Sequence, residues 1–313
     1  MPNPALDKHT AFGFQVQDDE GTEVNDTVIW TPFNDRLDFK LRTNRTVYRQ
    51  ADYNDYIHLL YSSGIWSEGG APISLIPNDT MWAGLIVWLQ TRDDYNQGKW
   101  ASVYLYDTTI GIRAFMDVKV REFNFRFTRG EPVRLDLQLV GKKPGTGTPI
   151  PTLTGRRLGP YLWKETEVQL DMGNAGGSLA VTVDIESAEL RGDNMIHSPE
   201  EGLRITDSNG AYPQKLYNIG GMNVTGSFSR DFLDTTAYAT YVALGTSDFA
   251  ATYDASVQFL MTRVTTATAL VNRMQLMEHA ADYAGSNEGR LVESVDWQGL
   301  GSTDGATAPL TLS

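Results

Sequence analysis

Two alternating runs joined by a tight turn, spanning Asp117 to Lys143, limit the possible folds more than any other feature of this chain. Val118 and Val120, then Phe123, Phe125 and Phe127, alternate with Lys119, Arg121, Asn124 and Arg126. A period of two is the mark of a strand with one wet face and one buried face. The parity slips once, at Arg121-Glu122. A β-bulge there adds one residue, re-aims the strand and sharpens its twist. Thr128 to Pro132 reads as the turn, with Gly130 free to take a positive φ. The return strand alternates again, setting Val133, Leu135, Leu137 and Leu139 against Arg134, Asp136 and Gln138.

The same device recurs near the C-terminus. Asn287-Glu288-Gly289 precede Leu291–Gly299 as Gly130-Glu131 precede Val133–Gly141. Fixed-order repetition is the signature of a duplicated unit. Each half reads as strands, one helix (Asp79–Gln90; Asp231–Leu244), a strand (Ala101–Tyr106; Ser256–Met261), a variable segment and the closing hairpin. Lys142–Thr154 is rich in Pro, Gly and Thr and makes the best boundary. The expected domains are residues 1–145 and 155–313, with 146–154 as the linker. The expected fold class is mainly β: two tandem β-sandwich or barrel domains, each with one flanking α-helix.

Elsewhere, short strands are expected at Phe12–Val16, Val28–Trp30, Leu37–Leu41, Val47–Arg49, Val168–Leu170, Leu179–Ile185 and Val224–Phe228. Trp66–Gly70 reads as a loop. Asn78 or Asp79 caps the first helix, and Asp231 or Asp234 the second. Arg191–Lys215 is a long polar loop, and such loops in compact domains are usually functional. Thr262–Tyr283 has no clear period. The tail, Gly301–Ser313, reads as a free end or a strap over a neighbour.

Composition removes several function classes. The 313 residues contain no cysteine, so disulfides, thiolate metal sites and a cysteine nucleophile are excluded. A net charge of −13 disfavours binding to nucleic-acid backbone or anionic membrane. The N-terminus has no signal-peptide core, and the longest apolar run, Met81–Leu89, is too short to span a bilayer. His9, His58, His197 and His279 lack ligand spacing. The acidic pairs Asp93-Asp94 and Glu200-Glu201 read as solvated loop residues. No nucleophile elbow, zinc-protease, P-loop or EF-hand motif occurs. The expectation is a non-enzyme with no cofactor and no metal.

The hairpin FNFRFTRGEPVRLDLQLVGKK (Phe123–Lys143) and the run YNIGGMNVTGSFSRDFLDTTAYATYVALG (Tyr217–Gly245) resemble the tail tube proteins of long-tailed bacteriophages. The resemblance implies rings whose inner strands join neighbouring subunits into one barrel, stacked into a hollow tube for DNA passage. It implies three two-domain chains imitating a hexamer. Implied partners are other copies of the chain, a tape-measure protein in the lumen, terminator and tip proteins, and DNA in transit without specific binding. The implied location is the virion tail, assembled in host cytoplasm. Closing strands into a ring removes the edges that invite aggregation. The polar hairpin face, Lys119, Arg121, Asn124, Arg126, Arg134, Asp136 and Gln138, then faces the lumen or a neighbour. Asp18, Asp19 and Glu20, with Glu200, Glu201 and Arg204, are candidates for ring-to-ring contact. The alternative is a monomeric β-sandwich that binds carbohydrate or acts on glycans.

Overall fold

The computed structural model describes residues 10–31, 37–49, 57–91, 98–151, 159–172, 179–182, 185–203, 212–218, 221–231, 235–246, 254–282, 291–301 and 308–313. In chain order the elements are β1 (Thr10–Val16), β2 (Ile29–Thr31), β3 (Lys40–Arg49), β4 (Ile57–Ser74), α1 (Asp79–Gln90), β5 (Ala101–Asp107), β6 (Gly111–Thr128) and β7 (Arg134–Pro144). There follow β8 (Thr166–Asp171), β9 (Ala180–Val181), β10 (Ile185–Asp193), β11 (Asn223–Asp231), α2 (Thr236–Thr246), β12 (Ala255–Thr262), β13 (Thr266–Asp282), β14 (Val292–Gly299) and β15 (Thr311–Leu312).

The strand order is duplicated. The first half runs β2-β1-β5-β6-β7-β4-β3, and the second runs β9-β8-β12-β13-β14-β11-β10. The irregularities repeat as well. Val118 pairs with Gly141, and Met274 with Gly299. A bulge follows Val120 on β6, and another follows Leu276 on β13. Further bulges separate Ala101 from Val103 and Ala255 from Val257. Bulges bend and twist a strand, so β6 and β13 can each serve two layers. Their first parts pair with β5 and β12, and their later parts with β7 and β14.

The hairpin follows its sequence pattern closely. Val118, Val120, Phe123, Phe125 and Phe127 are buried, as are Leu135, Leu137 and Leu139 on β7. Gly130 takes φ 80°, where a side chain would be strained. The first helix has the expected bounds. Asn78 caps it by accepting from the Met81 amide at 2.9 Å. Its buried residues, Met81, Trp82, Leu85, Trp88 and Leu89, recur at helical spacing. Trp88 stacks on Phe14 at 5.0 Å, and Trp82 meets Phe125 edge-on.

Several expectations change. Trp66–Gly70 is not a loop but the middle of β4, laddered to β7 from Ser67 to Ser74. Glycines hid it, yet Gly69 is required: a Cβ there would lie 2.1 Å from the Asp38 carbonyl oxygen. Asp231 does not cap the second helix. It continues β11 opposite Val292, and α2 starts at Thr236; Asp234 lies outside the described residues. The unpatterned stretch after Thr262 is the long strand β13. Leu179–Ile185 is not one strand, because β9 holds only Ala180–Val181 and Ile185 opens β10. The tail crosses the chain's own surface: β15 pairs with Ala269 and Leu270, and Trp82 Nε1 donates to the Ser313 carbonyl at 2.6 Å.

Candidate subunit interface

The two halves meet through strand pairing. β10 of the second half lies antiparallel along β6 of the first, from Ser187 opposite Thr128 to Asp193 opposite Glu122. Asn194 extends the ladder past the bulge, its amide donating to the Arg121 carbonyl (2.8 Å) and its Nδ2 to the Val120 carbonyl (2.7 Å). On the apolar face Phe127 stacks against Phe259 of β12. Gly192 makes room for Phe123, whose ring would lie 2.2 Å from any added Cβ.

The register sets the polar residues in rows across both halves. One row is Ser74, Arg134, Arg126, Glu189, Ser227, Asp296 and Glu278. Residues in such a row share one face of the sheet. Both helices lie on the opposite, apolar face: α1 through Trp82 on Phe125, and α2 through Tyr238 and Tyr241 beside His279. On the polar face acids outnumber bases. Asp38, Glu68, Glu122, Asp136, Glu189, Asp193, Asp231, Glu278 and Asp296 stand against Lys40, Arg42, Arg121, Arg126, Arg134 and Arg191.

The hairpin candidates divide between this face and a buried cluster. Arg126 pairs with Asp136 (3.1 Å) and Glu189 (3.6 Å), and Asn124 donates to Glu189 (3.4 Å). Arg134 reaches Glu131 at 3.9 Å, and Gln138 lies over Gly70. Arg121, pushed out at the bulge, pairs with Glu68 of β4 at 2.8 Å. Lys119 is instead buried, its ammonium 4.1 Å from the centre of the Trp100 ring.

The loop candidates converge. Lys142 ion-pairs with Glu20 and donates to the Gln214 carbonyl at 2.7 Å, tying the N-terminal arm to the long loop of the second half. Asp117, at φ 54°, receives the Gly21 amide at 2.6 Å. Tyr104 donates to the Val24 carbonyl at 2.7 Å, and burial pushes its phenol pKa up. Asp18 and Asp19 remain exposed. Glu200 and Glu201 sit in a short 3-10 turn, Pro199–Gly202, whose Gly202 carbonyl accepts from Gln214 and whose Glu201 meets His197 at 2.8 Å. Arg204 lies outside the described residues.

The sequence reading missed a buried ionic group beneath α2. Arg230 pairs with Glu293, which also meets His279 at 3.0 Å, and the Glu293 side chain is fully buried. Alternation alone could not mark it, because polar residues occupy inward positions there. Among the described residues no cluster of three or more His, Asp or Glu is placed to hold a metal ion. No helix among them is long and apolar enough to cross a membrane.

No curated protein matches the chain. One solved structure, the tail of an empty GTA particle computed with helical refinement in C6 symmetry, is 12% identical. It covers 48% of this chain and 96% of that one, at a TM-score of 0.32. The profile of the phage tail tube proteins matches residues 62–299, from β4 through β14. That span includes both helices, the junction of the halves and both closing hairpins, so this mainly-β chain belongs to the phage tail tube protein family, a structural component of the virion tail.

Proposed function

We propose that the chain is the repeating subunit of the tube wall. Copies close edge to edge into rings, the bare polar sheet face turns inward, and stacked rings enclose the channel through which DNA leaves. The observation that carries this reading is the duplicated sheet joined through β10 and β6. It gives one chain two successive wall segments whose polar faces are continuous. Three such chains supply the wall of a six-segment ring, the pseudo-hexamer of a siphophage tail. The chain divides at 146–154 into a unit of residues 1–145 and a unit of 155–313.

An inward face richer in acids than in bases repels phosphate, so DNA slides and does not stick. The lumen would hold a tape-measure protein during assembly in the host cytoplasm, with terminator and tip proteins at the ends. The arm at Asp18, Asp19 and Glu20 and the turn at Glu200 and Glu201, with Arg204, would touch the next ring. Lys142 draws the arm and the long loop together, which suits them to one contact surface.

The test is assembly of the purified chain, followed by sedimentation velocity and negative-stain microscopy as concentration rises. Annular particles or tubes are expected. Monomers at every concentration, with saturable sugar binding, would replace this reading with the carbohydrate-module alternative.

A further inference from the structure

Among the described residues, the duplicated sheet has one position filled in the first half and vacant in the second. Along the edge of β6 that faces β5, the later part carries β10. On β13 the equivalent edge carries β12 only as far as Met274. Among the described residues no strand lies along that edge from Leu276 to Asp282. The counterpart of β10 is the segment entering β3. Both strands pass a glycine, Gly226 and Gly69, where an added Cβ would lie 2.4 Å from the Glu189 carbonyl oxygen and 2.1 Å from that of Asp38. β10 has partners on both sides, β11 and β6. Among the described residues β3 has only β4.

We propose that β13 of one copy receives residues 38–42 of the next, in the register that β6 and β10 use within the chain. The inference rests on the tube-wall reading and names its contact. Glu122 faces Asp193 within the chain. Superposing the repeats through Val120 and Leu276, and through Gly69 and Gly226, sets Glu278 opposite Arg42, Ala280 opposite Lys40, and Ala281 opposite Phe39.

Three observations point to a second copy as the occupant. Charge complementarity favours it: Glu278 would meet Arg42 from β3, an opposite-charge pair at the place where the internal junction sets Glu122 against Asp193. The edges carry exposed apolar side chains that pairing would cover, Leu41 at 45% and Met277 at 63%. A cavity of about 420 Å³, lined in part by Leu37, Phe39 and Leu105, opens beside the incoming segment. Leu105 holds the position of Phe259, on which Phe127 stacks at the internal junction. A neighbour packed along this edge would cover that space.

The absence of cysteine makes the register directly measurable. Residues directly opposite on antiparallel strands have Cα atoms about 4.5–5.5 Å apart, within disulfide range. The double variant Lys40→Cys, Ala280→Cys should give a ladder of covalent oligomers on oxidation, seen on a non-reducing denaturing gel. Leu41→Cys with Ala280→Cys, whose side chains point to opposite faces, should not. Separately, Arg42→Glu should cut the assembled fraction roughly tenfold through like-charge contact with Glu278, and adding Glu278→Arg should restore it. Normal tubes in which the Lys40→Cys, Ala280→Cys variant forms no disulfide, or a disulfide only in a shifted pair, overturn this register and leave the tube reading standing. Failure of the unmodified chain to assemble overturns both.

Discussion

Phe127 of the first half lies flat on Phe259 of the second, ring centroids 4.7 Å apart and planes 8° from parallel. Both side chains are fully buried. The stack sits where β10 has joined the halves, so it belongs to the seam between the repeats as well as to the core. Phe127→Ala should destabilise the chain by about 3–5 kcal/mol, the usual cost of emptying a buried phenylalanine site. Denaturant unfolding measures this. A cost under about 1 kcal/mol would mean that the halves are held together elsewhere.

Gly226 and Gly69 occupy the same place in the two repeats, and neither tolerates a methyl group. A Cβ on Gly226 would lie 2.1 Å from Trp297 Cζ2 and 2.4 Å from the Glu189 carbonyl oxygen. The second obstacle is backbone held in the ladder between β10 and β11. Gly226→Ala should cost at least about 1–3 kcal/mol through overpacking. Gly69→Ala should cost more than that, because its φ of 146° adds strain to the clash. Gly130→Ala is the control: a Cβ there meets nothing within 4 Å, so only the φ penalty of about 1–2 kcal/mol applies. Thermal melts should place Gly69→Ala lowest, Gly226→Ala next and Gly130→Ala closest to the unmodified chain.

These positions also mark what the sequence could and could not convey. The hairpin was legible to its bulge and turn because the residues from Val118 to Leu139 obey one burial rule, Lys119 and Asn124 apart. The first helix was legible because Asn78 caps it and its tryptophans fall on one side. β13 was opaque. Thr, Ala, Met and His share its faces, and His279 turns inward because Glu293 awaits it. The seam was opaque for another reason. Ala188, Leu190 and Gly192 alternate with Ser187, Glu189 and Arg191, but alternation states only that a strand has two faces. That its free edge finds β6 depends on long-range pairing, which no local pattern encodes. Lys119 broke the rule outright, burying its charge against Trp100.

The Arg230–Glu293–His279 group beneath α2 yields a prediction about coupling. Arg230 and Glu293 are directly opposed on β11 and β14, and the carboxylate is sealed from water. Removing one member of a buried pair strands the other, at about 3–5 kcal/mol, whereas replacing both with apolar residues can be neutral. Glu293→Leu alone should therefore be severe, and Arg230→Met with Glu293→Leu much milder. A double-mutant cycle in chemical denaturant checks this, and additive costs would show that the pair is not coupled.

Acid should loosen the contact between Glu165 and the turn that joins β12 to β13. Arg263, in the turn joining β12 to β13, donates to both carboxylate oxygens of Glu165, at 2.8 and 2.5 Å, and to the Pro160 carbonyl at 2.6 Å. Tyr161 beside it donates to the Thr265 carbonyl at 2.8 Å. The hydrogen bond from Arg263 is the main reason the Glu165 carboxyl titrates below its ordinary value of 4.5. A depressed carboxylate stabilises the fold above its unfolded pKa and loses that contribution as pH falls through the folded one. Glu165→Gln should therefore cost about 1 kcal/mol at about pH 7, and the gap from the unmodified chain should close as pH drops below about 4.5. Urea midpoints of both proteins across that range give the curve. A gap that stayed constant through the acid limb would mean that Arg263 holds the segment through the Pro160 carbonyl alone, with no contribution from the charge on Glu165.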